Sequence, residues 1–239
     1  MRCSIFLYLL LTVFCAQAKV SVQINQEIFN FPENPRLVEV LFPALAGKQW
    51  YWPASALYRL NSSRAENQRN QIIKKLESIQ LSLNSENSIQ VTYLIEQIKQ
   101  WSLADRIDIP IDYDAAQLDS NSNPRFENGE YRLELKLRPT TANIFGLNKQ
   151  TVIIDLSNSS CAHSSIQQLV AELVNKDFAY IIQPNGVTKK IGIAYWNKGC
   201  TELMPGSQIY LPLPESQFSK KNRLLNEQIV ALAKNRINL

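Results

Sequence analysis

Between Ser63 and Leu103 the chain contains neither glycine nor proline. Within that stretch Ile72, Leu76, Ile79 and Leu83 recur at four, three and four residues, and Val91, Leu94, Ile95, Ile98 and Trp101 follow the same rule. Each set lays one apolar stripe along a helix. Asn84–Ser88 separates them with residues suited to capping the second helix, so the reading is an antiparallel helical hairpin. Two amphipathic helices with one apolar face each are marginal in water. The hairpin therefore has to lean on something else in the molecule.

What flanks the hairpin reads as sheet. Val20, Val22 and Ile24 alternate with Ser21, Gln23 and Asn25, the period of a half-buried strand. A turn at Gln26-Glu27 leads to a second strand, Ile28 to Phe31, and "PRLVEVLFPAL" reads as a short helix. After the hairpin, Ile107, Ile109 and Ile111 alternate with Asp108, Pro110 and Asp112, with Pro110 pointing to an edge strand. "YRLELKLRP", "QTVIID", "AYIIQ", "VTKKIGIAYW" and "SQIYLPL" read as further strands, and helices are expected over Ser164–Val174 and Lys220–Ile237. Strand–strand–helix–strand thus occurs twice, which predicts an α+β chain of two small domains. The expected division is 1–18 as a signal peptide, 19–128 as the first domain with the hairpin at about 63–103, 129–218 as the second, and 219–239 as a C-terminal amphipathic helix.

The signal peptide rests on Arg2, the apolar run Ile5–Phe14 and Ala16-Gln17-Ala18, with cleavage expected after Ala18. The run is shorter than a membrane span. A lipid anchor at Cys15 is disfavoured by the bulky Phe14 before it. In the exported form Cys161 and Cys200 remain, and an exported chain with two cysteines invites one disulfide; the alternative is two free thiols. A net charge of +4 with no basic block argues against a nucleic-acid partner.

Catalytic chemistry is thinly represented. His163 is the single histidine, so any Ser-His-Asp or Cys-His unit has to use it. Its bland reading is a surface residue at a helix start beside a structural cysteine. One histidine does not make a His-rich zinc site. Asp105, Asp108, Asp112, Asp114 and Asp119 lie close in sequence, and glycoside hydrolysis needs two facing carboxyls; the alternative is a solvated edge-strand face. Asp119, Asn121, Asn123 and Glu130 have calcium-loop spacing, but Pro124 stands where glycine is needed. A turn with Asx hydrogen bonds is the preferred reading.

Trp50, Tyr51 and Trp52 form the densest aromatic group. Such rings serve either as a sugar-stacking platform or as buried area. In an extended segment Trp50 and Trp52 share one side and Tyr51 takes the other. The core reading packs one side where the hairpin meets the sheet. It leaves Tyr51, or whichever ring lines a cleft near Arg106, accessible.

Several stretches, in order, resemble the capsule-biosynthesis GfcC-like family: "WYWPASAL", Arg106 with the segment after it, "DSNSNP", "YWNKG" with "PGSQIYL", and "LNEQIVALAKNRI". The resemblance implies two β-grasp domains similar to those of Wza-type exporters, a helical hairpin inserted in the first and a C-terminal amphipathic helix. It implies a periplasmic role in capsule or exopolysaccharide assembly or export, with no catalytic residues and no cofactor. The implied partners are polysaccharide or export and assembly proteins. Cys161 and Cys200 depart from the pattern, and their bridge reads as a local staple.

Two functional classes follow. The first is a non-catalytic accessory protein, with Arg106, Tyr51, Trp52 and Asn123 as candidate binding residues. A guanidinium at Arg106 would grip a sugar carboxylate or an acidic side chain, or else satisfy local carbonyls and pair with Asp105 or Asp108. The second is a polysaccharide hydrolase using the Asp105–Asp119 cluster. Lys220, Lys221, Arg223, Lys234 and Arg236 on the final helix suit contact with a membrane surface or partner; the alternative is simple packing on its own domain.

Overall fold

The structure is a computed structural model that describes residues 20–46, 48–157, 161–169, 177–214 and 219–237. The expected signal peptide and its cleavage site lie outside these residues, as does the second half of the helix expected over Ser164–Val174. The fold is mixed α+β, with two five-stranded sheets and six α-helices among the described residues.

In the first half, β1 (Val20–Ile24), β2 (Glu27–Phe31), α1 (Leu37–Leu41) and β3 (Ala56–Arg59) come first. Then follow α2 (Arg64–Gln80), α3 (Ser85–Lys99), β4 (Asp105–Ile107), α4 (Tyr113–Leu118) and β5 (Gly129–Glu134). The sheet order is β2-β1-β5-β3-β4. Its central pair, β1 and β5, is parallel, and the other neighbours are antiparallel. The second half holds β6 (Thr141–Gly146), β7 (Val152–Asp155), α5 (Ala162–Leu169), β8 (Phe178–Ile182), β9 (Thr188–Gly192), β10 (Gln208–Leu211) and α6 (Leu225–Ala233). Its sheet order, β7-β6-β10-β8-β9 with β6 and β10 parallel, repeats the first.

The division expected at Gly129 is corrected by this pairing. The strand that begins there bonds to both β1 and β3 and is the middle of the first sheet. Leu133 and Leu135 supply its buried face, so the turn before Gly129 lies within the first half and does not end it.

One face of the first sheet carries Val22, Ile24, Leu57, Tyr131 and Leu133 and closes over Leu37, Val40 and Leu41 of α1. The α2–α3 pair does not join that core. Ile72, Leu76, Ile79, Val91, Leu94, Ile95 and Ile98 pack with Phe145, Tyr180, Ile182 and Tyr210 of the second sheet and with Leu225, Ile229, Val230 and Leu232 of α6. The helices inserted in the first half are thus the cover of the second. Gln97 of α3 locks this contact. Its amide donates to the carbonyls of Gly146 (3.0 Å) and Asn148 (2.6 Å), and its oxygen accepts from the Gly146 N–H (3.2 Å). Gly146 is required there, since a Cβ would lie 2.3 Å from the Leu211 carbonyl oxygen and its φ is +131°. The opposite face of the second sheet closes over Ala162 and Ile166 of α5.

After α6 the chain returns to the first sheet. Ala104 N–H donates to Asn235 O (3.0 Å), Arg106 N–H to Asn235 Oδ1 (3.0 Å), and the Tyr58 hydroxyl to Arg236 O (3.0 Å). The Arg236 guanidinium sits 4.7 Å from the Trp101 ring and 5.6 Å from Phe145. The helix expected over Lys220–Ile237 is therefore shorter, and the segments around it are used as ties. The apolar stripe of α6 faces α2 and β8 inside the chain.

Two chemical consequences are testable here. Burial pushes the Tyr58 phenol up to about 12, partly opposed by Arg106, and burial pushes Tyr210 up as well. In the unfolded chain tyrosine ionises near 10.0. Both folded values lie above the unfolded one, so the stability linked to these groups is complete below about pH 10 and is lost as pH rises towards about 12. The melting temperature should drop between about pH 10 and pH 12, and less so in Tyr58→Phe.

Cys161 and Cys200 form a disulfide, with Cα atoms 5.3 Å apart and a sequence separation of 39. Closing a loop of that length stabilises the fold by about 3–4 kcal/mol in the chain-entropy account. Replacing both cysteines by alanine should lower the urea midpoint accordingly, with reductant then having no further effect. Identical unfolding curves for parent and variant would refute that contribution.

A candidate functional site on the polar face of the first sheet

The face of the first sheet opposite α1 is built from the alternate residues of its central strands. Tyr58 pairs in register with both Arg106 and Arg132, and Ala56 pairs with Glu134, so these side chains share one face. Lys136 continues the row beyond β5. Arg132 Nε lies 3.1 Å and Lys136 Nζ 3.9 Å from the Glu134 carboxylate. Burial pulls the Lys136 ammonium below its usual value, with Arg106 and Arg132 acting in the same direction and Glu134 against it. Arg132 and Lys136 thus flank the buried Glu134 carboxylate, with Arg106 close enough to act on the same charges.

Arg106 forms the edge of this cluster and touches the second half of the chain. Its guanidinium donates to the Pro184 carbonyl (2.7 Å) and stands 3.7 Å from Asp108, with the side chain only 9% exposed. Lys234 holds the same Asp108 at 2.8 Å. The site therefore lies where β4 meets the turn before β9. Tyr51 borders its far end. The Tyr51 N–H donates to Lys136 O (2.8 Å), and the Arg138 guanidinium lies 5.3 Å from the Tyr51 ring. Lys136, just beyond β5, thus brings Tyr51 alongside the Glu134 end of the cluster.

The other candidates stand elsewhere. Trp50 and Trp52 pack against the core under α1, and the Trp50 indole N–H donates to Ala44 O (2.7 Å). Among the described residues this aromatic group packs in the first core, whereas the helix pair covers the second sheet, which corrects the expected contact between them. Trp50 does line a groove of about 710 Å³, together with Phe29, Glu27 and Lys48. Asn123 caps α1 from a distance. Its Oδ1 accepts from Val38 N–H (3.0 Å) and its carbonyl from Arg36 (2.9 Å).

The aspartates are dispersed among structural tasks. Asp105 accepts from the Ser62 hydroxyl and from Ala65 N–H at the start of α2. Asp112 caps α4 through Ala115 N–H (3.0 Å). This corrects the strand expected through Ile111, which ends at Ile107; Pro110 has no N–H for a ladder, and a helix follows that the alternation concealed. Asp119 accepts from the N–H groups of Asn121 and Ser122 and from the Ser122 hydroxyl, the Asx turn foreseen. Those bonds hold its carboxyl below the usual range. His163 lies within α5 and is buried, not at the surface, because the helix starts one residue before it.

Arg132, Glu134 and Lys136 were not singled out from sequence. Their signal was present in the polar positions of "YRLELKLRP", which alternate along one side of a strand whose other side is leucine.

Residues 16–138 match the family described as "Capsule biosynthesis GfcC, N-terminal", and residues 162–238 match "Capsule biosynthesis GfcC C-terminal". The chain belongs to the GfcC capsule-biosynthesis family. Among the relatives of this GfcC-family chain is the uncharacterized protein YjbG of Escherichia coli strain K12. It is 28% identical over 200 residues, covering 82% of this chain and 79% of that protein. The N-terminal GfcC match ends at 138, beyond β5, in agreement with the extent of the first sheet.

Proposed function

We propose that this protein is a non-catalytic accessory component of capsule or exopolysaccharide assembly, working in the periplasm by holding polymer or docking on export proteins. Membership of the GfcC family across both halves of the chain carries the reading. The cationic cluster around Arg106, with Tyr51 at its border, is the proposed contact for acidic groups of the polymer or partner. The repeated sheet order with a parallel central pair supports two β-grasp modules, residues 20–138 and 139–214, with α2 and α3 inserted in the first as a helical hairpin. The alternative of a hydrolase acting through the Asp105–Asp119 cluster is weakened by the engagement of Asp105, Asp108, Asp112 and Asp119 in caps and ion pairs.

Deleting the gene should deplete surface polysaccharide while synthesis of its repeat units continues. Incubating the protein with the polymer should yield no new reducing ends. Reducing ends that vanish when Asp112 or Asp114 is replaced by asparagine would overturn the non-catalytic reading. Unchanged surface polymer after deletion would overturn the assembly role.

A further inference from the structure

The turn Ala194–Asn197, which follows β9, holds two large rings out into solvent. Tyr195 is 87% and Trp196 71% exposed, whereas tryptophan in a folded protein is on average strongly buried. Phe178, on the neighbouring strand, meets Trp196 edge-on at 6.4 Å between ring centroids. Lys198 Nζ lies 4.8 Å over the Tyr195 ring, and Lys190 Nζ lies 4.7 Å over Phe178. Three aromatic residues and two ammonium groups thus share one patch.

The turn is pinned on several sides. Asn197 N–H donates to Ala194 O (3.2 Å), Ala194 N–H donates back to Asn197 Oδ1 (3.0 Å), and Asn197 Nδ2 donates to Asp177 O (3.0 Å). Gly192 permits this closure, since a Cβ there would stand 2.3 Å from the Asn197 carbonyl oxygen. Three residues beyond the turn, Cys200 is joined to Cys161. Rings presented on a fixed turn lose little freedom on meeting a ligand.

The segment that carries the rings is basic in sequence. From Phe178 to Thr201 the chain carries Lys189, Lys190 and Lys198 and no Asp or Glu. Asp177 and Glu202 flank that segment, and Glu227 accepts from the Tyr180 hydroxyl at 3.1 Å. We infer that the Tyr195–Trp196 turn, with Lys190 and Lys198, is a binding platform for an anionic saccharide chain. Pyranose rings present flat C–H faces that stack on exposed aromatic rings, and carboxylates on the sugar meet the ammonium groups. A neutral polymer would leave the lysines unused. The inference rests on the polymer-handling reading above and places the contact at a second surface, distinct from the Arg106 cluster.

The test is calorimetric titration of the full chain with polygalacturonate oligomers, with dextran and polyglutamate as controls. Polygalacturonate should bind saturably and more weakly as salt rises, and dextran and polyglutamate should not. Tyr195→Ala/Trp196→Ala should raise Kd about tenfold or more with an unchanged melting temperature. Lys190→Gln/Lys198→Gln should raise Kd and flatten the salt dependence. No binding of polygalacturonate, equal binding of polyglutamate, or an aromatic double variant that binds as the parent does would each overturn the platform. Those results leave the accessory role standing if gene deletion still depletes surface polymer. Conversely, binding through this turn with no effect of deletion would refute the role and keep the platform.

Discussion

Removal of residues 220–239 should abolish folding of the helix pair and the second sheet together. Leu225, Ile229, Val230 and Leu232 are buried between α2, α3 and the sheet formed by β6, β8 and β10. Burying each such side chain contributes about 1.5–3 kcal/mol, so losing the four removes roughly 6–12 kcal/mol, comparable to the whole stability of a typical domain. The truncation also deletes the Asn235 and Arg236 bonds that draw β3 and β4 towards the second half. Loss of near-ultraviolet circular dichroism and of a cooperative melting transition is the expected result. A truncated protein that still melts cooperatively near the parent temperature would show that α6 is dispensable cover.

A single substitution at the start of the same helix should also be costly. Asn226 is buried at the foot of α6 and makes three hydrogen bonds with the end of the second sheet. Its Oδ1 accepts from the Tyr210 hydroxyl (2.9 Å) and from Leu213 N–H (3.2 Å), and its Nδ2 donates to Leu213 O (3.0 Å). Asn226→Ala leaves a buried hydroxyl, N–H and carbonyl without partners. Each such group costs about 1–3 kcal/mol, and one water entering the space left behind would recover part of it. The expected destabilisation is about 3–4 kcal/mol by urea unfolding. Tyr210→Phe should cost less, and the double variant less than the sum, because the phenylalanine removes one of the groups that alanine strands. A loss below about 1 kcal/mol for Asn226→Ala would show that this network contributes little.

The elements read correctly from sequence are those with one face in the core and one in water. β1 alternates as expected, and both apolar stripes of the helix pair are buried where their spacing put them. β6 was missed for the opposite reason. Ile144 packs towards α5 and Phe145 towards α2 and α3, so both faces are buried and the period-two signal disappears. α4 is short, and its cap, Asp112, sits where isoleucine alternation suggests a strand. The polar row Arg132, Glu134 and Lys136 was visible as alternation, but not as a cluster with Arg106, because that neighbourhood depends on strands far apart in sequence. The exposed Tyr195 and Trp196 carry no local mark that separates them from the half-buried Trp50 and Trp52; exposure follows from what covers each segment.

By itself, the sequence determined the local periods: which segments alternate, which carry a helical stripe, and that two inserted helices need an apolar partner. Only the tertiary structure decided that this partner is the second sheet with α6, and that β5 completes the first sheet. The physical reason is that an apolar stripe is non-directional. It encodes that a surface must be covered, while the choice of cover is made by long-range pairings such as Gln97 with Gly146 and Asn235 with Arg106.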